Sequence, residues 1–577
     1  MTARHGPRRR TGPRGRVAFP ALLAGAVLAL SLPPFGLWIL AGPGAGLLWW
    51  RLGGLGFRPR LLAGWLAGLG LFVPGLWWAL SFNVYGGIIL MAVQALALAL
   101  ACAFSPPGRG RGASLAGAMV LTEALRSAWP FGGLPLGGLA LGQAGGPLAG
   151  AARLGGPLLL VGLVWVAGSG LGVLVASLRP VDRGPHRAGG LTAGLIALVA
   201  VAGIGLWGAL APDGGGAVGT VRVASVQGGG VRGLSKAEVS PASVFAAQLR
   251  ATAQIPAVDR GRPPALIVWP EDVVSLAQPL GRSAAESTLA DVARQHEATL
   301  TVGVTETISA SSFLNEIVAF APDGDLVARF EKVHRVPFGE YVPDRAFFSH
   351  LASLSGVPLD AVPGHGDGVL ETPAGPLGTM VSYEVFFAGR GRVATRAGAQ
   401  LLIVPTNTSS YASSQVPCQE IAASRLQAIA EGRDLVQSAP TGFSALIDHR
   451  GRVLARTSLG RRQILLADVA RRTGATLYER FGDLPVLLAA GLLLVGGWGA
   501  ALASEGPDAV ALAGRRRAGG SGGRGRHPWP GSGTAENSSR SMFGPRSGGE
   551  SYWSRRATPA GPPAPPGVVF ASGLMSS

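Results

Sequence analysis

The sequence predicts a multi-pass α-helical membrane domain of about eight helices joined to an α/β domain that lies in water. Hydrophobic residues make up 48% of the 577 residues and charged residues only 14%, with a mean hydropathy of +0.34. Ordinary soluble domains are about 25% charged, so this balance excludes a wholly soluble enzyme. Eight apolar segments, and one long stretch of alternating strand and helix patterns, divide the chain between membrane and water.

Seven of the apolar segments lie in the first 211 residues, and several have the roughly 20 residues that a helix needs to cross a bilayer. The segments are 17–32, 36–50, 61–80, 86–104, 113–125, 156–177, 190–211 and, near the C-terminus, 484–503. The second and fifth are short, so their limits are open. The first runs directly into Leu32-Pro33-Pro34-Phe35-Gly36 without a small-residue cleavage site, which favours a retained helix over a cleaved signal peptide.

Positive charge recurs at every second loop. Arginine-rich stretches precede the first segment and follow the second, fourth and sixth, at 4–16, 51–60, 109–111 and 179–187. The positive-inside rule then predicts cytoplasmic termini and an extracytoplasmic location for the residues between the seventh and eighth segments. Because much of the net charge of +18 lies in basic blocks beside apolar spans, we expect a membrane protein with no nucleic-acid partner.

The region predicted to lie in water, residues 218–470, consists of short β-rich runs with alanine-rich helical stretches between some of them. The runs are 221–226, 265–269, 299–304, 315–320, 326–330, 379–381, 401–404, 435–438 and 444–448. Helices are predicted at 243–253, 284–296 and 420–431. This alternation indicates an α/β fold in which helices cover the sheets. The tail from residue 504 is rich in Gly, Ser, Pro and Arg, which predicts disorder.

Three polar residues follow apolar strands in this region: Glu271, Lys332 and Ser382. Catalytic groups gather at strand ends in α/β sheets. Acyl transfer needs a nucleophile, a base and a cation or donor for the oxyanion, which Ser382, Glu271 and Lys332 could supply. For each residue alone, a surface or capping role stays open. Lys332 stands out because it and Lys236 are the only lysines among 50 basic residues.

Three blocks resemble the signature blocks of apolipoprotein N-acyltransferase, a membrane-embedded member of the nitrilase superfamily. They are Trp269–Glu271, Glu331–Pro343 and Ser382–Glu384. Leu32–Gly36 and Pro130–Pro135 are similar to motifs of the family's membrane domain. The resemblance spans roughly residues 17–503 and implies an eight-helix membrane domain that carries an extracytoplasmic nitrilase-like αββα sandwich.

The resemblance also implies a reaction and a set of roles. The family moves an acyl chain from a phospholipid to the N-terminal amine of a diacylglyceryl-cysteine lipoprotein, through an acyl-enzyme. Glu271 then corresponds to the general base and Lys332 to the cation that stabilises the oxyanion. Glu340 corresponds to a further carboxylate, and Tyr383 and Glu384 flank the nucleophile. We expect no cofactor and no metal, and a monomer in a bacterial plasma membrane.

At the nucleophile the chain departs from the family, because Ser382 stands where the family has cysteine. A hydroxyl is far less acidic than a thiol, whose pKa is near 8.5, so the general base has to remove a proton that is held more tightly. Three interpretations are open: Ser382 attacks, Cys418 substitutes, or the chain is a catalytically inactive membrane scaffold. A membrane-tethered amidase that releases its product to water is a further alternative.

The predicted organisation has five parts. They are a basic cytoplasmic N-terminus (1–16), a seven-helix membrane domain (17–211), the catalytic domain (212–483), a transmembrane helix (484–503) and a cytoplasmic tail (504–577). Aromatic residues beside the proposed catalytic groups are candidates to line the path of the acyl chain: Phe338, Tyr341, Phe386 and Phe387.

Overall fold

The computed structural model describes residues 15–178, 185–230, 239–259, 261–350, 353–411 and 414–504. Most of the basic N-terminus, Lys236 and the tail from residue 505 lie outside these ranges. The first seven helices are α1 (Gly15–Ala29), α2 (Ala41–Arg51), α3 (Phe57–Leu76), α4 (Val84–Phe104), α5 (Arg111–Arg126), α6 (Ala152–Ser177) and α7 (Pro185–Leu210). Each of the first seven predicted apolar segments thus forms a helix.

Five helical stretches within the described residues are long and apolar enough to cross a bilayer: Phe57–Ser81, Val84–Phe104, Ala149–Ser177, Ala188–Leu210 and Leu484–Ser504. Small residues let neighbouring membrane helices approach closely. Gly64 and Gly68 on α3 lie so near Ala95 and Ala99 on α4 that an added Cβ would collide with that backbone. The predicted number of crossings stays a prediction, because α1, α2 and α5 are shorter.

The strands of the α/β domain are β1 (Ala217–Gln227), β2 (Leu266–Val268), β3 (Val274–Leu276), β4 (Thr299–Thr307), β5 (Ser312–Phe320), β6 (Leu326–Glu331), β7 (Asp360–Ala361), β8 (Val369–Leu370), β9 (Leu377–Thr379), β10 (Leu401–Pro405), β11 (Leu435–Ser438), β12 (Ala445–Ile447), β13 (Val453–Arg456) and β14 (Gln463–Arg472). The remaining helices are α8 (Pro241–Thr252), α9 (Ile255–Val258), α10 (Ala284–His296), α11 (Arg345–Ser349), α12 (Ala388–Arg396), α13 (Val416–Glu431), α14 (Leu477–Phe481) and α15 (Leu484–Ser504). Every predicted strand and helix of this domain is present, most of them with shifted ends.

These strands form two sheets. The first has the order β14-β1-β2-β4-β5-β6, with β3 beside β4 and β7 beside β5. The second has the order β13-β12-β11-β10-β9-β8. In the first sheet β1, β2 and β4 are parallel, and in the second β9, β10 and β11 are parallel. Each parallel set therefore delivers its carboxyl ends to one edge of its sheet, where ligands bind in α/β proteins.

Helices cover the outer face of each sheet, which confirms the predicted αββα sandwich. Buried side chains such as Val268 and Ile403 pack between the sheets. The other face of the first sheet packs against α8 and α10. The other face of the second sheet packs against α13, and one continuous apolar cluster joins Leu402 on β10, Leu426 on α13 and Leu160 on α6. The second sheet is therefore joined to the membrane helices through α13.

Candidate active site

Glu271 lies in a tight turn directly after β2. Trp269, before it, is fully buried and donates its backbone N–H to Thr301 on the neighbouring strand β4. Gly303, also on β4, passes so close to the turn that an added Cβ would collide with the Cα of Glu271. The short strand and this glycine together turn the Glu271 carboxyl into the interior, where the residue is 4% exposed.

Lys332 brings two carboxylates together. It directly follows β6 and is 1% exposed. Its Nζ donates to Glu271 Oε1 at 2.9 Å and to Glu340 Oε1 at 2.7 Å. Asn315 on β5 donates its amide N–H groups to the same two oxygens, at 2.9 and 3.0 Å. An ammonium has three N–H groups, so two described acceptors leave one N–H for a substrate oxygen.

The pKa values of Glu271 and Lys332 are both raised, but for different reasons. Burial raises the pKa of Glu271, and this effect outweighs the opposing attraction of Lys332. Burial disfavours the charged form of Lys332, but Glu271 and Glu340 outweigh it and hold the pKa of Lys332 above its ordinary value. Lys332 is therefore a permanent cation beside a carboxyl group that holds a proton more readily than an ordinary glutamate does.

Ser382 begins a short 3-10 turn after β9, and its backbone lies in the left-handed region at φ +51°. A non-glycine residue there is strained, and such strain is concentrated at functional sites. Ser382 is half-buried, and its Oγ lies 3.2 Å from Thr406 Oγ1. Among the contacts of the described residues, Ser382 Oγ has no hydrogen bond to Glu271 or Lys332.

Glu384 ties the segment around Ser382 to the segment around Lys332. This fully buried carboxylate accepts the backbone N–H groups of Val333 and His334 on one oxygen, at 2.9 and 3.0 Å, and that of Val381 on the other, at 2.8 Å. Val333 follows Lys332 and Val381 precedes Ser382. One carboxylate therefore holds the two predicted catalytic positions next to each other, although they lie 50 residues apart in the chain.

The predicted membrane motif at 130–135 contacts the same region. The Tyr383 hydroxyl donates to the carbonyl oxygen of Gly133 at 2.9 Å, and the Tyr341 hydroxyl donates to that of Phe131 at 3.1 Å. The Phe131 ring also packs edge-to-face against Phe338, with centroids 5.7 Å apart. Residues next to Ser382 and Glu340 are thus anchored to the membrane domain.

The remaining candidates lie near this region with different surroundings. Phe387 stacks on His334, with ring centroids 4.1 Å apart, and Phe386 is half-buried beside Tyr383. Cys418 is half-buried on α13 against the apolar cluster, and burial raises the pKa of its thiol, which disfavours the reactive thiolate.

Three polar residues of the site were not predicted from the sequence: Asn315, Thr406 and Glu420. Asn315 and Glu316 form a polar pair within a strand that is mostly apolar, which is a signal that sequence inspection could have used. Thr406 directly follows β10, and the same criterion that selected Glu271 and Lys332 would have selected it. Glu420 lies on α13, a largely buried helix with several polar residues, and is 2% exposed.

The fold and the matching family models define the α/β domain as a carbon–nitrogen hydrolase domain. Residues 222–478 match the family model described as carbon-nitrogen hydrolase. Residues 24–171 match the model described as the apolipoprotein N-acyltransferase N-terminal domain. The solved structure of Nit3 from Saccharomyces cerevisiae, a nitrilase superfamily member, is 20% identical and covers 44% of this chain and 91% of that one, at a TM-score of 0.34.

Curated relatives extend over both domains. An apolipoprotein N-acyltransferase from Allorhizobium ampelinum is 31% identical over 479 residues, which cover 76% of this chain and 87% of the relative. One from Azotobacter vinelandii is 31% identical over 511 residues, which cover 83% of this chain and 93% of the relative. The chain belongs to the apolipoprotein N-acyltransferase family.

Proposed function

We propose that this chain moves an acyl chain from a phospholipid to the N-terminal amine of diacylated lipoproteins, with Ser382 as the nucleophile. The observation that supports this most directly is the buried Glu271–Lys332–Glu340 cluster, which the Glu384 carboxylate ties to the Ser382 turn. A buried cation between carboxylates, next to a strained hydroxyl, is suited to acyl transfer.

The reaction has two halves, and both use the same groups. In the first, Glu271 takes the Ser382 proton while Oγ attacks the ester carbonyl, and Lys332 Nζ donates to the oxyanion. The lysophospholipid alkoxide then leaves with the proton from Glu271, and the acyl chain remains as a serine ester. In the second, the lipoprotein amine attacks this ester, Glu271 accepts the amine proton and returns it to Ser382 Oγ, and the amide is released.

Thermodynamics does not oppose a serine nucleophile here. Exchange of a phospholipid ester for a serine ester is nearly even, and conversion of an ester to an amide is downhill. The obstacle is kinetic, because each tenfold loss in rate is about 1.4 kcal/mol of barrier. The strained φ of Ser382 and the permanent charge on Lys332 both act on that barrier.

The contact with the membrane helices suits a lipid donor. An acyl chain that enters beside them avoids water, which is worth about 0.8 kcal/mol per CH₂ group. The exposed rings of Phe338 and Phe347, near Phe131 of the membrane motif, would line this entrance. The loop charges support an extracytoplasmic location for the catalytic domain, with both termini in the cytoplasm.

Sidedness can be tested with a cysteine introduced in the exposed β4–β5 turn. We expect Ser309→Cys to react with a membrane-impermeant maleimide on intact cells or spheroplasts. The wild-type chain is the control, since Cys102 is buried and Cys418 half-buried. Labelling only after the membrane is opened would place the domain on the cytoplasmic side and contradict the proposed orientation.

The function is tested with the purified full chain, phospholipid and a diacylated lipopeptide. We expect acylation by the wild type and by Cys418→Ala, and none by Ser382→Ala. Mass spectrometry should find the acyl adduct on Ser382 when the lipopeptide is omitted. If wild type and Ser382→Ala are both inactive while Ser382→Cys acylates, the chain is a scaffold. Release of free fatty acid without lipopeptide acylation would indicate a hydrolase instead.

A further inference from the structure

Two buried polar residues near the Ser382 hydroxyl, Thr406 and Glu420, have no role in the mechanism above. Thr406 Oγ1 lies 3.2 Å from Ser382 Oγ and also forms a short hydrogen bond with Glu420 Oε1. Thr406 is fully buried at the end of β10, and Glu420 is 2% exposed on α13. The three side chains therefore form a continuous chain of polar contacts from the interior to the proposed nucleophile.

The single proton of the Thr406 hydroxyl decides which residue donates and which accepts in each of these hydrogen bonds. A threonine hydroxyl carries one proton, so Thr406 can donate to only one of its two neighbours and must accept from the other. If Thr406 donates to Ser382 Oγ, Glu420 must be the donor to Thr406. Glu420 then has to be a neutral carboxylic acid.

The surroundings of Glu420 favour the neutral acid. Burial raises its pKa to about 8, although the Thr406 hydrogen bond opposes this. The charged groups that act on it, Glu271 and Lys332, have opposite signs. Its second oxygen, Oε2, is buried without a hydrogen-bond partner in the described part of the chain, where a carboxylate would need several. A buried acid of this kind can serve as a hydrogen-bond donor at neutral pH.

We propose that Glu420 and Thr406 form a donor chain that stabilises the Ser382 alkoxide as it develops. Glu420 donates to Thr406, and Thr406 donates to Ser382 Oγ. The proton of Ser382 is thereby left free to move to Glu271 during attack, and neither Thr406 nor Glu420 changes its protonation state. Thr406 is a catalytic residue, because it touches the reacting oxygen, and Glu420 is a positioning residue that acts through it. This inference rests on the proposed function.

A hydroxyl nucleophile gains more from such a chain than a thiol does. An alkoxide concentrates its charge on a small oxygen, which is a strong acceptor, whereas sulfur is a weak one. A thiol is also acidic enough, with a pKa near 8.5, to need less help. The effect of the donor chain on the rate should therefore depend on whether residue 382 is serine or cysteine. If Thr406 and Glu420 have a merely structural role, their effect on the rate should be the same with either residue.

Two pairs of matched variants test the inference through the rate of acyl-enzyme formation in a single turnover. Thr406→Val and Glu420→Met keep the shape and remove the donor, and we expect each to slow the step by about 10- to 100-fold. Thr406→Ser and Glu420→Gln keep a donor, and we expect rates within about threefold of wild type. In a Ser382→Cys background, all four substitutions should change the rate by less than about threefold. Thermal midpoints in detergent identify any variant that fails to fold.

Several results would overturn the inference. If Glu420→Gln is as slow as Glu420→Met, Glu420 works as a carboxylate acceptor. If Thr406→Val slows the Ser382→Cys enzyme as much as the native one, its role is structural. An active wild type with an unchanged Thr406→Val rate overturns this inference alone, whereas a wild type that forms no acyl-enzyme overturns the proposed function as well. If Ser382→Cys is inactive, the inference is decided by comparing Thr406→Val with Thr406→Ser, and Glu420→Met with Glu420→Gln, in the chain that keeps Ser382.

Discussion

The replacement of Glu384 by glutamine should damage both the stability and the activity of this protein. Its carboxylate is fully buried and accepts three backbone N–H groups from the segments that carry Lys332 and Ser382. A glutamine amide has one acceptor oxygen and one NH₂ group. In either orientation, Glu384→Gln turns the NH₂ group towards at least one backbone N–H donor.

The expected magnitude follows from these contacts. Each hydrogen bond to a charged group contributes about 1.5–3 kcal/mol, and at least one is lost. Arg390, whose Nε lies 3.7 Å from Glu384 Oε1 and which is 7% exposed, also loses its counter-charge. Loss of one partner of a buried charge pair costs about 3–5 kcal/mol, which we expect here as the fall in unfolding free energy. A shift of about 1 Å between Lys332 and Ser382 would lower kcat about 100-fold.

The assay pairs acyl-enzyme formation with thermal unfolding in detergent, and Glu431→Gln is the matched control. Glu431 is also fully buried, but it accepts from the Thr395 hydroxyl at 3.0 Å and burial raises its pKa to about 8. It is therefore largely neutral at pH 7, and a glutamine removes no charge there. We expect the control to keep its rate within about threefold and its stability within about 1 kcal/mol.

The pH dependence gives the two residues opposite signatures. Burial opposes ionisation of Glu384, but its hydrogen bonds and Arg390 outweigh burial and hold its pKa below the ordinary 4.5. Its contribution to stability is thus present above about pH 4.5 and lost as the pH falls towards the folded-state value. For Glu431, stability falls as the pH rises from 4.5 towards 8. If the Glu384→Gln variant has the thermal midpoint and the acyl-enzyme formation rate of the wild type, Glu384 does not hold the Lys332 and Ser382 segments together as we infer.

Three further substitutions act on neighbouring contacts and use the same pair of measurements. Lys332→Met should abolish acyl-enzyme formation and lower stability by about 3–5 kcal/mol, because it leaves the buried Glu271 and the half-buried Glu340 without their cation; an active variant would contradict its role. Tyr383→Phe should lower stability by about 1 kcal/mol through loss of the bond to the Gly133 carbonyl, and an unchanged midpoint would argue against that anchor. Gly303→Ala should slow the reaction at least tenfold by displacing Glu271, and a wild-type rate would show that the turn can adjust.

The fold was largely predictable because its patterns are local. Helix α10 was predicted at 284–296 and occupies Ala284–His296, with Ser283 as its N-cap. Strand β9 was predicted at 379–381 but ends at Thr379, because the chain leaves the sheet to enter the strained Ser382 turn. The deviation thus falls at the predicted nucleophile position, where tertiary contacts override local preference.

The site was predictable only in part. Position after an apolar strand selected Glu271 and Lys332, and the resemblance to the family added Glu340. The structure brings these three side chains together, although their roles stay predictions. No local pattern could pair Thr406 with Glu420, since one ends a strand and the other lies on the next helix. The contact depends on how α13 packs across the second sheet, which periodicity does not determine.

The same packing makes the geometry of the candidate active site depend on the membrane helices. The side-chain amides of Gln415, the N-cap of helix α13, and of Gln419 on that helix donate to the carbonyl oxygens of Pro74 and Gly75 on α3, at 3.0 Å each. The apolar residues of α13 share one buried cluster with α6. Without the membrane domain this cluster would be exposed to water, and α13 would lose the contacts that hold Glu420 against Thr406. The geometry at Ser382 is therefore a property of the whole chain rather than of the α/β domain alone.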